Sequence, residues 1–376
     1  MHPLPGPVAI LYQAALPPPV DGVQKPMKPG GYSDSGADIG FNLRARGMPL
    51  VTPRPSPDPT RALDWVFPDT AEGIREACDR GAQVLWANTV LFAGHPLEQL
   101  TAPELRIVGQ KPARAQEFDD KWATNERLRE YGCSVPPAAL VGLRPAPGVL
   151  LPDDLTEARL EQCRLRLPLV VKPVRGRGSE GVSVSYTVPE LVEAARALLS
   201  ATTVVGELPQ PKYGERVIVE QFLPGTELTV TVMPPGTYQL PEGERAFDRH
   251  WCLPPVRRFN HLQGVAPYNG VVAVTRNSVV LSREERLAEG VQALEAQCVV
   301  AAALVDAVAP IRIDARGTAG GTLQLFDLNM KPNLTGAGRP GRDDQDSLTT
   351  MAARGMGWSY ASLLLNMLGQ AWNVEA

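Results

Sequence analysis

Two hydrophobic periods alternate along the chain, and they mark out its elements. The run VAILYQ (8–13) is apolar throughout except at its end, the pattern of a buried strand of the parallel type. A Pro/Gly-rich loop, AALPPPVDGVQKPMKPGGYSDSG, follows, and SGADIGFNLRARG then shows helical spacing through Ile39 and Leu43, with a glycine stop at Gly47. Ser33 or Asp34 is expected to cap that helix. DWVFPDTAEGIREACDRGAQVLWANTVLF repeats the theme, with a helix over Thr70–Arg80 and a strand at QVLWANT. Strands alternating with helices predict a parallel α/β unit with right-handed crossovers, ending near residue 112.

The next segment, EFDDKWATNERLREYGCSVPPAALVG, reads as a helix carrying Lys121, a stop at Gly132 and a short strand. A polar helical stretch then leads into the strand LPLVVKP, a glycine-rich turn and a second strand, GVSVSYT. Thr187 with Glu190 forms a capping box for the helix PELVEAARALLS. RVIVEQFL and TELTVTVM are strands, and about 30 residues after them, PPGTYQLPEGERAFDRHWCLPPVRRFNHLQG, read as a loop of the long kind that is usually functional. SREERLAEGVQALEAQCVVAAALV is a long amphipathic helix. PIRIDA and LQLFDLN form a hairpin around RGTAGGT, and two helices close the chain near SLTTMAARGMG and WSYASLLLNMLGQ. The expected division is 1–112, 113–205 and 206–376.

Composition narrows the class. The 376 residues are 44% hydrophobic and 21% charged, globular values for two or three domains. A net charge of −4 argues against nucleic acid or an anionic membrane as the main partner. No apolar run approaches the roughly 20 residues that span a bilayer, and the first residues lack the pattern of a signal peptide. The five cysteines are scattered and form no CxxC, so reduced thiols in a cytoplasm and no zinc site are expected.

Three stretches carry candidate chemistry. In VVKPVRGRGSEGVSV (170–184), glycines between two strands let backbone N–H groups form an anion-binding nest, and Lys172 at the strand end reaches phosphate; the alternative is a tight hairpin with a basic tip. In VIVEQFLPGTEL (217–228), Glu220 and Glu227 flank a turn; they are either solvated acids or parts of a nucleotide hinge. In the hairpin, Asp327 and Asn329 share a strand face by the period of two, as do Arg312 and Asp314 on the partner strand. Three oxygen donors converging there suit Mg²⁺, with Arg312 placed to stabilise charge on a transferring group; the alternative is a hydrogen-bonded strand end.

The order of these pieces is a lysine helix, a Lys-Pro glycine loop, a Glu hinge, then an R-x-D strand paired with D-x-N. In that order the chain resembles the ATP-grasp superfamily, and most closely its D-alanine–D-alanine ligase branch. The ending SLTTMAARGMGWSYASLLLNML (347–368) strengthens the likeness, which is good from about 118 onward and vague before. It implies an ATP-grasp α/β fold: a Rossmann-like first domain, a small central lobe and a C-terminal lobe with the metal site. It implies that Lys121 and Lys172 hold ATP phosphates under a mobile loop with Ser179 and Gly181. Glu220, Phe222, Leu223 and Glu227 would take adenine and ribose, and Asp314, Asp327 and Asn329 would carry two Mg²⁺. Arg312 matches the arginine that stabilises the transition state. The implied reaction is attack of a carboxylate on the γ-phosphate of ATP, followed by capture of the acylphosphate by an amine. Rival outcomes are a kinase of the same fold and a non-catalytic ATP-binding regulator. Homodimerisation is a further implication.

The chain also departs from that pattern. Asn333 stands where the family has a glycine whose backbone N–H helps bind the intermediate. More chain lies between Asn329 and Ser347 than in the dipeptide ligases, and it contains Arg339 and Arg342. These arginines would grip a substrate carboxylate, or pair with Asp343, Asp344 and Asp346. The start of the first helix, KPGGYSDSG, has no glutamate to hold a substrate ammonium. In RRFNHLQGVAPYNGVV, Arg258, His261 and Tyr268 are expected to face substrate, as is Ser347; NG at 269–270 signals a turn. On these grounds the product is expected to be an amide or dipeptide other than D-alanyl-D-alanine.

Overall fold

The computed structural model describes residues 6–25, 27–100, 104–176, 178–205, 208–260 and 274–374. In it VAILY forms the strand Val8–Tyr12, which pairs in parallel with Val66–Pro68 on one side and Val84–Asn88 on the other. Arg106–Val108 continues the parallel sheet, and Trp372–Asn373 closes it antiparallel. Alternate residues of the strand serve two cores. Val8 and Ile10 pack with Ala37, Ile39 and Leu43 of the helix Ser33–Ala45, while Ala9 and Leu11 pack with Ile74 and Ala77 of the helix Ala71–Asp79.

The start of the helix Ser33–Ala45 differs from expectation. Neither Ser33 nor Asp34 caps it; its N-cap is Tyr32 in the left-handed region (φ 66°), with no side-chain cap. Gly30 and Gly31 precede it with φ of 72° and 54°, and a Cβ on Gly31 would lie 2.0 Å from the carbonyl oxygen of Gln13. A close backbone approach, absent from any local pattern, sets this boundary.

The central sheet runs Val149–Leu150, Ala138–Gly142, Arg216–Gln221, Leu169–Pro173, Ser183–Ser185. Its middle strand therefore lies beyond residue 205, so strand pairing carries this unit past the expected boundary. The helix Val188–Ser200 covers it through Leu191 and Ala195, capped as expected by Thr187, which accepts from the N–H of Glu190 at 3.3 Å. The Glu190 carboxylate turns to the N–H of Tyr186 instead of completing the box. The lysine-bearing helix Lys121–Glu130 is capped by Asp120.

The third sheet runs Ser278–Val280, Val256–Arg258, Glu227–Met233, Ile311–Gly317, Leu323–Asn329, with Trp251–Cys252 also paired to its middle strand. The helix Glu289–Leu304 buries Leu294, Cys298 and Ala301 against Val230, Val232 and Ile313. The stretch read as a long loop is largely strand: Gly236–Leu240 and Gly243–Phe247 form a hairpin, followed by Trp251–Cys252 and Val256–Arg258. An aromatic cluster holds it. Phe247 stacks on Trp251 at 4.3 Å between centroids, Tyr238 meets Trp251 edge-on at 5.0 Å, and Trp358 closes the group. The turn expected at 269–270, with His261 and Tyr268, lies outside the described residues. Among the described residues no helix is long and apolar enough to cross a membrane.

Candidate active site

The hairpin Ile311–Gly317 and Leu323–Asn329 sets Arg312 opposite Asn329 and Asp314 opposite Asp327, then shifts register between Asp314 and Ala315. Phe326 is the residue left without an opposite number, and its carbonyl accepts from Lys172 Nζ at 3.2 Å. Asp314 is buried and accepts from Thr229 Oγ1 (2.8 Å) and Arg312 Nη2 (2.9 Å). Burial pushes the Asp314 carboxyl above the usual carboxylate range; Arg312 opposes this, and the charges of Asp327 and Glu227 add to it. Asp327 bonds Lys121 Nζ directly. Burial works against its ionisation, but the charge and hydrogen bond of Lys121 outweigh burial and hold the carboxyl below its ordinary value. Asn329 Oδ1 accepts from the N–H of Lys331 at 3.0 Å.

The two lysines arrive from different elements. Lys121 opens its helix, with its own N–H bonded to the Val174 carbonyl at 3.1 Å. Lys172 lies on the strand Leu169–Pro173, buried, with Nζ 2.7 Å from Glu220 Oε1. Burial raises the Glu220 carboxyl above its ordinary value, and Lys172 offsets only part of the rise. The hinge beyond Glu220 is braced by Gln221, whose amide both donates to the Arg166 carbonyl and accepts from the Arg166 N–H, each at 2.9 Å. Phe222 lies beneath the Arg316 guanidinium (5.1 Å to the ring centroid), and Leu223 is buried. Glu227 opens its strand between Arg258 and Arg316. At the glycine loop Ser179 and Gly181 both have positive φ, 58° and 73°.

Other expectations are relocated. Arg258 is buried with Nη1 3.9 Å from Glu227 Oε1, on the side expected for ribose. Ser347 caps the helix Leu348–Gly355, accepting from the Thr350 N–H at 3.1 Å, so its hydroxyl is taken up by the helix end. Asn333 Oδ1 accepts from the Thr335 N–H (3.1 Å) and from Thr335 Oγ1 (3.0 Å), a local turn. Arg339 and Arg342 pair with none of Asp343, Asp344 or Asp346. Arg339 Nε lies 2.8 Å and Arg342 Nε 2.9 Å from Asp38 Oδ1 on the first helix, where Asp38 is fully buried. They clamp the inserted loop to the first domain, in place of the substrate grip expected of them. Sequence reading missed the Asp38–Arg339 and Asn88–Lys331 contacts, which join positions hundreds of residues apart.

The donor set fits the ions and the nucleotide that the motifs call for. Two carboxylates and an amide oxygen at one strand-pair end are hard oxygen ligands, suited to Mg²⁺. Two lysines and Arg312 surround them, the charge complement of a polyphosphate.

Fold and site together define an ATP-grasp chain. The model of the family described as D-ala D-ala ligase C-terminus matches residues 141–369, and the chain belongs to that family. Among curated proteins it is 27% identical to the D-alanine–D-alanine ligase of Aquifex aeolicus (strain VF5) over 199 residues, 53% of this chain and 55% of that one. It is 27% identical to the D-alanine–D-alanine ligase of Psychrobacter sp. (strain PRwf-1) over 229 residues, 61% and 58%. The chain thus spans just over half the length of these relatives. Solved structures agree on the fold over most of the chain. The D-alanine–D-alanine ligase of Bacillus anthracis complexed with ATP superposes with a TM-score of 0.62 at 15% identity, covering 96% of this chain and 95% of that one. The VanG D-Ala:D-Ser ligase of Enterococcus faecalis gives 0.59 at 14%, covering 96% and 98%. These names point toward the D-alanine ligase type and lend no support to excluding D-alanyl-D-alanine as the product.

Proposed function

We propose that the protein is an ATP- and Mg²⁺-dependent carboxylate–amine ligase of the D-alanine–D-alanine ligase type. The observation that carries this reading is the convergence of Lys121, Lys172 and Arg312 on Asp314, Asp327 and Asn329 from three separate elements. Asp314, Asp327 and Asn329 would hold two Mg²⁺, which neutralise the phosphate oxygens when bound. Lys121 and Lys172 leave their carboxylate partners for the phosphates, and Arg312 faces the transferring group. A substrate carboxylate oxygen attacks the γ-phosphorus, the bond to the β-phosphate oxygen breaks, and ADP leaves. An amine then attacks the acyl carbon, phosphate departs, and the nitrogen gives up a proton. Positioning and charge neutralisation are all this chemistry asks of the protein. Glu227 and the Gln221–Leu223 hinge would take ribose and adenine. The five unpaired cysteines support a cytoplasmic setting.

The test is phosphate and ADP release from MgATP across a panel of small acids that includes D-alanine, each with and without amines, with products read by mass spectrometry. Release that needs both partners, with a product one water lighter than their sum, supports the ligase. Stable transfer of phosphate to one substrate would make it a kinase. MgATP binding with no release across the panel would make it a regulator.

A further inference from the structure

We propose that Lys25 is a positioning residue for the phosphate lysine: by pairing with Asp119 it keeps that carboxylate from drawing Lys121 away from the nucleotide. The inference rests on the reading of Lys121 as a ligand to an ATP phosphate.

Asp119 belongs to the turn two residues before Lys121. Asp120, between them, caps the helix that Lys121 opens, accepting from the Ala123 N–H at 2.8 Å. The Lys121 ammonium responds to two carboxylates. Asp327, at the metal-bearing strand end, bonds it directly. Burial works against the ammonium; the charge and hydrogen bond of Asp327, and then the charge of Asp119, outweigh burial and raise it above its ordinary value. Asp119 is thus a rival for the cation that the phosphates need.

Two cations hold that rival. Lys25 Nζ donates directly to Asp119 Oδ1, and Arg175 Nη1 lies 3.5 Å from Asp119 Oδ2. Arg175 is shared, with Nη2 3.4 Å from Asp120 and 3.6 Å from Asp21. Lys25 is the nearer counter-charge. Burial opposes the charge of Asp119; Lys25 first, then Lys121 and Arg175, outweigh it and hold the carboxyl below its ordinary value. A carboxylate already bonded to one ammonium attracts a second one less. Without Lys25, the pull of Asp119 on Lys121 grows.

Lys25 arrives from the first domain. It is carried by the Pro/Gly-rich loop that leaves the first strand, and this loop is seated on the central unit. Asp21 faces Arg175, and a Cβ on Gly214 would lie 2.8 Å from Val23 Cγ2. Val20 and Val23 exchange two backbone hydrogen bonds at 3.0 Å, which close the loop's tip. The Lys25 side chain is 12% exposed, so its charge is less screened than that of a surface lysine. One loop of the first domain thereby leaves Lys121 available to phosphate oxygens.

MgATP affinity, read by calorimetry on the full chain, tests this without knowledge of the acid or the amine. Lys25→Met should weaken MgATP binding about 10-fold, and Lys25→Gln, which keeps a polar contact but no charge, should do the same. Adding Asp119→Asn to Lys25→Met removes the rival and should restore affinity to within about 3-fold of wild type. Asp119→Asn alone should bind at least as tightly as wild type. Thermal unfolding checks that each variant is folded. A loss that Asp119→Asn does not restore would make Lys25 a brace of its loop and overturn the proposal, as would wild-type affinity in Lys25→Met and Lys25→Gln. No MgATP binding by the wild type, or binding that Lys121→Met leaves unchanged, would overturn the reading of Lys121 and this inference with it.

Discussion

Asp327 and Asp69 are buried carboxylates that stay charged for different reasons. At Asp327 the counter-charge comes first from Lys121, with Lys172 and Arg312 adding to it. In the proposed reaction Arg312, beside Asp314 on the same face, would act on charge that develops only during phosphoryl transfer. Arg312→Ala is therefore expected to lower turnover by about 10²–10³ while ATP affinity falls far less. Equal losses in rate and in binding, measured by phosphate release and calorimetry, would reduce Arg312 to a binding role. Asp69 is held by hydrogen bonds alone: the N–H groups of Ala14 and Ala15 at 2.7 Å, Thr89 Oγ1, and His95 Nε2 at 3.2 Å. His95 Nδ1 accepts from the Leu97 N–H, so Nε2 carries the proton donated to Asp69. Burial opposes the charge, and the bonds from His95, Thr89, Ala15 and Ala14 overcome it, leaving the carboxyl below its usual value. A depressed folded-state value stabilises fully above the unfolded value, near pH 4, and the contribution is lost as pH falls through the folded value. Asp69→Asn should thus cost about 2–4 kcal/mol at neutral pH and progressively less below about pH 4. Urea unfolding at a series of pH values reads this; a difference that stays constant into strong acid would contradict it.

At the scale of elements, the inserted loop and the first helix act as one unit. Arg339 is almost wholly buried, and Asp38 is the shared acceptor for both loop arginines. Removing Asp38 leaves a buried guanidinium with only the exposed Asp34 carboxylate, 3.6 Å away, as counter-charge. Asp38→Ala is expected to destabilise by about 3–5 kcal/mol, and Asp38→Ala with Arg339→Ala by less than the sum of the two. Strict additivity in denaturant unfolding would show that the loop does not depend on this helix. The hairpin Gly236–Phe247 shows the apolar counterpart. Its alternation at Tyr238 and Leu240 is visible in the chain, but the prolines and glycines around it read as loop until Trp251 and Trp358 cover its inner face.

Across the whole molecule, the chain's two ends share a core. Val8 and Ile10 of the first strand pack in the same cluster as Leu363, Leu364 and Met367, and Trp372–Asn373 completes the first sheet. The candidate site likewise draws on the central unit for Lys121, Lys172 and Glu220 and on the third sheet for Asp314, Asp327 and Asn329. A ligand that engages both should stabilise the folded chain as a whole. MgATP at about 100 times its Kd is expected to add about 2.7 kcal/mol to the unfolding free energy. Asp327→Ala should lose the part of that gain that depends on Mg²⁺. Thermal unfolding with ATP and EDTA against ATP and Mg²⁺ decides it, and identical gains in the two conditions would remove the metal from the site.

What the amino-acid sequence by itself determined is the local part. The period of two placed Asp327 with Asn329 and Arg312 with Asp314; the helical period and the cap Thr187 marked the helix over 188–200; and the order of lysines, glutamates and hairpin was enough to point to the fold. The tertiary structure alone decided where polar groups spend their bonds. It took Ser347 for a helix end, folded Asn333 into its own turn, sent Arg339 and Arg342 to Asp38, began the first helix at Tyr32, and carried the central sheet to Gln221. Periodicity records which face of an element is buried, not which other element buries it. An arginine's partner some 300 positions away is set by packing, and only the folded chain brings the two together.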